Sequence, residues 1–86
     1  MQPRNPSLTC LRHIRGMTVY GADGGSFAWE IVRSAGGFDA GFTVERTVGG
    51  YRYTEAGERH TLSRDSAVDW LRVEAAIRGF DGREVK

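Results

Sequence analysis

With Cys10 as the only cysteine, no internal disulfide can form, and nothing in the thiol content points to an oxidising compartment. Lysine is almost missing as well: eleven of the twelve basic side chains are arginine and Lys86 is the exception. The cations are therefore planar, forked donors suited to carboxylates or phosphates. Proline is confined to Pro3 and Pro6, so no strand or helix beyond them is interrupted by one. No apolar run approaches the ~20 residues of a membrane span. The opening Met-Gln-Pro-Arg-Asn-Pro-Ser lacks the apolar centre of a secretory signal. Together these absences lead to the expectation of a cytoplasmic protein with no membrane partner. A one-sided charge is lacking too, since the formal net charge is only +1. A dedicated nucleic-acid binder usually carries a larger excess, because phosphate neutralisation supplies most of its affinity.

What is present is enough for one small core. A chain of 86 residues buries only roughly 60% of its unfolded surface, so oligomerisation has to be considered from the start. The expected organisation is a tail over residues 1–9, a single domain over 10–80 and a second tail over 81–86. Glycine punctuates the domain at 21–25, 36–41, 49–50 and 57, and each cluster separates segments with strand character. The first strand is expected over about Cys10–Tyr20, with a bulge near Arg15-Gly16 where the apolar phase changes between Ile14 and Met17. Ser26–Arg33 alternates cleanly, with Phe27, Trp29 and Ile31 on one face. A third strand carries Phe42, Val44 and Val48 on one face and Thr43, Glu45 and Thr47 on the other. Val48-Gly49-Gly50-Tyr51 reads as a two-residue hairpin leading into Tyr51 and Tyr53. Thr54–Gly57 reads as a looser turn, with Arg59–Leu62 either a fifth strand or an extension of the sheet.

Residues 63–80 carry the strongest local pattern. Ser63 is placed to cap a helix, Asp65 and Asp69 favour its positive end, and Gly79 suits a left-handed stop with Phe80 folding back. Ala67, Trp70, Leu71, Val73, Ala75 and Ile77 make a broad apolar arc. Glu74 lies inside that arc and requires a partner, either Arg78 at i,i+4 or a strand arginine such as Arg33 or Arg46. The predicted fold class is α+β: a small antiparallel meander of four or five strands with one C-terminal helix packed on one face. The predicted core is Met17, Val19, Phe27, Trp29, Ile31, Phe42, Val44, Tyr53, Leu62, Ala67, Trp70, Leu71 and Ile77.

Catalytic chemistry is poorly supplied. His60, Ser63 and Asp65 hold the ingredients of a triad, but Ser63 is committed to the cap, and sequence neighbours rarely align as nucleophile, base and orienting acid. Cys10 and His13 would point to opposite sides of a strand, so neither metal nor cofactor is expected, and no enzymatic activity. The glycine runs precede strands and offer no helix N-terminus to an anion. Binding remains. The expected role is a non-catalytic protein-binding module, of the size class that includes small phage and mobile-element inhibitors such as anti-CRISPR proteins. Its candidate contact residues are Arg12, Arg15, Tyr20, Glu30, Glu45, Tyr51, Arg52 and Arg59, chosen for the interface preference of Arg and Tyr and for their place on the uncovered sheet. Two alternatives stand beside it: a DNA-binding domain using the sheet face and the N-terminal arginines, and a homo-oligomeric structural module, a homodimer among its forms, pairing through edge strands or the exposed sheet face.

Overall fold

The computed structural model describes residues 13–15, 18–21 and 24–85, and its strands meet at the glycine turns. Strands β1 (His13–Arg15), β2 (Val19–Tyr20), β3 (Ser26–Ser34), β4 (Gly37–Val48) and β5 (Tyr51–Thr61) precede one helix, α1 (Arg64–Ile77), and a short 3-10 turn at Gly82–Glu84. The order across the sheet is β1, β3, β4, β5, with β2 also paired to β3, all antiparallel. Because β1 and β2 lie end to end along β3, this is a four-stranded α+β meander with one C-terminal helix.

The bulge expected near Arg15-Gly16 is visible in the pairing. Arg15 sits across from Glu30 and Val19 from Phe27, so the first strand holds one more residue than β3 between those two pairs. Residues 10–12, 16 and 17 of that strand, and the core candidate Met17 with them, lie outside the described residues.

Two glycine readings need correction. The run at 36–41 is not one loop: the turn is only Ala35-Gly36, and Gly37 and Gly41 belong to β4. Gly37 is a strand residue paired with Ser34, and its position admits only glycine because the Thr61 carbonyl occupies the space a side chain would need. Nor is Thr54–Gly57 a turn, since β5 runs through it for 11 residues in unbroken register with β4. Gly57 pairs with Phe42, whose ring lies across it and fills the place of the missing side chain. Arg59–Leu62 is therefore the far half of β5, ending at Thr61, rather than a fifth strand.

The helix begins and ends as its sequence dictates. The Ser63 hydroxyl accepts from the Ser66 backbone N–H at 3.1 Å. At the other end Gly79 has φ +85°, its N–H reaches Ala76 O at 3.0 Å, and Phe80 N–H reaches Ala75 O at 2.9 Å. That pair of bonds is a Schellman closure. It turns Phe80 inward, where its ring lies 5.7 Å from that of Phe27.

The core comprises Val19, Phe27, Trp29, Ile31, Ala40, Phe42, Val44, Ala67, Val68, Leu71, Ala75, Phe80 and Val85, with Trp70 and Phe38 packed at its margin. Leu71 is fully buried, and removing such a side chain from water is worth about 1.5–3 kcal/mol. Three predicted core residues are exposed instead: Leu62 at 83%, Ile77 at 69% and Tyr53 at 46%. The helix turns Ala67, Val68, Leu71 and Ala75 down onto β3 and β4, which rolls Val73 and Ile77 out over the flank. Residues 81–86, expected as a tail, include Val85, which is fully buried and whose carbonyl accepts from Arg72 Nε at 2.9 Å.

Candidate functional site

Pairing partners assign every sheet residue to one of two faces. On the uncovered face Glu30, Gly41 and Glu58 lie in one row across β3, β4 and β5, with Ala28, Thr43 and Ala56 in the next. Small side chains at the centre leave a shallow open depression of about 500 Å³ rimmed by Glu30 and Glu58. A third row brings Asp39 beside His60, whose Nδ1 lies 2.7 Å from the Asp39 carboxylate and 3.4 Å from Ser34 Oγ. Both contacts fall on the same ring nitrogen. A proton relay needs the acid and the nucleophile on opposite nitrogens, so this trio does not have triad geometry.

On the covered face the helix and β5 are tied by one arginine. Arg78 Nη1 donates to Glu74 Oε1 at 3.1 Å and Nη2 to Glu55 Oε2 at 2.7 Å, while its guanidinium sits 4.6 Å from the Phe42 ring centroid. Glu74 thus takes the i,i+4 partner. The hydrogen bond from Arg78 holds the Glu55 carboxyl below the usual carboxylate range. Arg46, on β4, donates to the Arg78 carbonyl and stacks over Phe80 at 4.7 Å, which places a cation at the negative end of the helix.

The candidate contact residues divide between these faces. Glu30, Glu45 and Arg52 share the uncovered side, where Arg52 Nη2 lies 3.3 Å from Glu45 Oε1. Tyr20, 76% exposed on β2, is on that side at the opposite edge, and Arg15 in β1 sits across from Glu30. Tyr51 and Arg59 project from the other face of β5, and Arg12 lies outside the described residues. They do not form one patch.

What the structure does bring together was not grouped by residue type. β5 is the outermost strand, and each of its residues is exposed or half-exposed. Among the described residues the exposed large apolar side chains are Tyr20, Val48, Tyr51, Tyr53, Leu62, Val73 and Ile77. All but Tyr20 lie along β5, at its two ends, or on the helix flank beside it. Val48 and Tyr51 close the hairpin, Tyr53 follows on the same face, Leu62 follows Thr61, and Val73 and Ile77 come from the turns of α1 that the Arg78–Glu55 pair holds over β5. Several exposed large apolar side chains gathered along one margin of a small domain point to a contact site. Among the described residues no helix is long and apolar enough to cross a membrane. No protein-family model, curated protein or solved structure matches the chain.

Proposed function

We propose that this chain is a non-catalytic protein-binding module whose contact surface is the free β5 edge and the apolar strip beside it. The observation that carries this reading is the coincidence of the two features. An 11-residue edge strand with unused backbone groups lies alongside six exposed apolar side chains. An added strand takes its affinity from main-chain hydrogen bonds and its specificity from the side chains flanking them. The uncovered face favours a protein over a nucleic acid, because Glu30, Asp39, Glu45 and Glu58 would meet phosphates with like charge.

Photo-crosslinking tests the surface directly. A benzophenone amino acid in place of Tyr53 should capture protein in the source cell, whereas one in place of Tyr20, at the opposite edge of the sheet, should not. Capture from position 20 with none from 53 would refute this assignment of the surface.

A further inference from the structure

The strand at the free edge is built to pair with itself. Sheets usually protect such an edge with proline, with charged side chains, lysine above all, or with a bulge. Residues 51–61 contain neither proline nor lysine, their charges balance as Arg52 and Arg59 against Glu55 and Glu58, and the register of β5 on β4 never shifts. The hairpin sets the direction of its backbone groups. Gly49 and Gly50 have φ of +58° and +84°, a primed two-residue turn, so the closing pair Val48–Tyr51 exchanges hydrogen bonds. Odd-numbered residues of β5 therefore turn their N–H and C=O toward β4, and Arg52, Thr54, Ala56, Glu58 and His60 turn theirs outward. Ala56 is the middle residue of the strand and of that outward set.

Resting on the reading of β5 as a contact edge, we propose that its occupant is a second copy of this chain, paired antiparallel about a two-fold axis through Ala56. Ala56 then faces Ala56, Thr54 faces Glu58 and Arg52 faces His60, a ladder of about ten hydrogen bonds. On the helix side Tyr53 lies opposite Arg59 of the other copy, on both sides of the axis. Neither Arg59 nor Glu58 has an ion-pair partner among the described residues. In the dimer Arg59 gains an aromatic face and a diagonal carboxylate in Glu55, and Glu58 gains a hydroxyl donor in Thr54. Competing registers fit worse. A shift by one residue would set opposite faces of the sheet side by side. Centring on Glu55 would oppose two carboxylates, and centring on Gly57 would oppose two glycines and leave Tyr51 beyond the end of the partner strand. The Ala56 register doubles the sheet and sets both helices on one side of it. The two Val73–Ile77 flanks then face each other across the paired β5 strands.

The test uses the purified 86-residue chain. Sedimentation should give twice the chain mass, and Ala56→Pro should return it to the single-chain mass with an unchanged circular dichroism spectrum. That substitution removes an outward N–H and leaves the β4 ladder intact. Should Ala56→Pro fail to fold, Ala56→Cys in a Cys10→Ser background decides the matter. Two residues facing each other in a hydrogen-bonded pair lie about 5.5 Å apart, within disulfide range, so mild oxidation should yield a covalent dimer. Thr54→Cys in the same background should not cross-link, because its opposite residue is 58. A single-chain mass at the highest soluble concentration overturns the proposal, as does a dimer that a folded Ala56→Pro variant leaves intact or cross-linking at 54 as efficient as at 56. A monomer whose Tyr53 crosslinker captures a different protein sinks the self-pairing alone. A monomer that captures nothing sinks the contact edge as well.

Discussion

Replacing Gly57 with alanine separates the strand geometry from the turn that a glycine there suggests. Glycine to alanine within an ordinary strand, or in a turn with negative φ, stabilises a protein by about 0.4–1 kcal/mol, because the unfolded chain loses freedom. The φ of Gly57 is not positive, so no backbone strain opposes the change. The obstacle is the ring of Phe42: a Cβ on residue 57 would stand 2.8 Å from both Cε2 and Cζ. That ring has little room to yield. It is 5% exposed, stacks on Phe27 at 5.1 Å, meets Trp70 at 5.6 Å and lies under the Arg78 guanidinium at 4.6 Å. Overpacking a site held on this many sides costs about 1–3 kcal/mol, which outweighs the entropic gain. For a domain of this size each kcal/mol moves Tm by about 4–8 °C, a shift that thermal circular dichroism resolves easily. Trimming the ring should remove the penalty, so Gly57→Ala in a Phe42→Leu background should be close to neutral. An unchanged or raised Tm for Gly57→Ala alone would refute the ring-over-glycine contact and the unbroken β5 with it.

The helix rotation predicts a sharp contrast, best read by urea denaturation at low protein concentration. Leu71→Ala should cost about 2–5 kcal/mol and Ile77→Ala about 0.5 kcal/mol or less, and comparable losses would mean that the buried face is misassigned. The Glu55–Arg78 pair predicts a pH dependence. With its carboxyl held low by Arg78, Glu55 contributes stability that is complete above the ordinary carboxylate range and is lost as pH falls through its depressed value. The wild-type chain should therefore melt above Glu55→Gln at about pH 7, with the gap closing toward about pH 3. A gap that persists or widens in acid would contradict the pairing.

Local chemistry was legible in the residues, and long-range chemistry was not. Ser63 and Gly79 act on backbone groups a few residues away, so both ends of α1 could be read from neighbours alone. The phase change between Ile14 and Met17 likewise exposed the one-residue offset along β3. Gly57 was misread because the group that makes it a strand residue, Phe42, is fifteen positions upstream and reaches it only through the β4–β5 register. Tyr51-Arg-Tyr-Thr-Glu-Ala-Gly-Glu-Arg-His-Thr61 shows no clean alternation, since a strand accessible on both sides has no burial to impose one. The candidate surface suffered for the same reason. Choosing Arg and Tyr by type found Tyr51, Arg52 and Arg59 on the edge strand but also took Arg15 and Tyr20, which lie at the far edge. It passed over Val48, Val73 and Ile77, whose apolar nature reads as core until the helix is placed.

Element lengths explain why that placement leaves so much uncovered. A 14-residue helix spans about 21 Å, whereas β4, with 12 residues, spans about 40 Å. One helix, about 10 Å across, cannot roof four strands spaced about 4.8 Å apart over that length. The chain sets α1 over β3 and β4 and fills the remaining β3 side with Phe80 and Val85, brought back by the Schellman turn and the Arg72–Val85 bond. The molecule is accordingly long and thin, 48 Å by 16 Å at its extremes, with its apolar residue displaced to one margin. A domain this small has little stability in reserve, and a row of exposed tyrosine, valine, leucine and isoleucine contributes nothing to it in isolation. Those side chains would contribute once a strand is added at the edge, which is the gain the proposed self-pairing would supply.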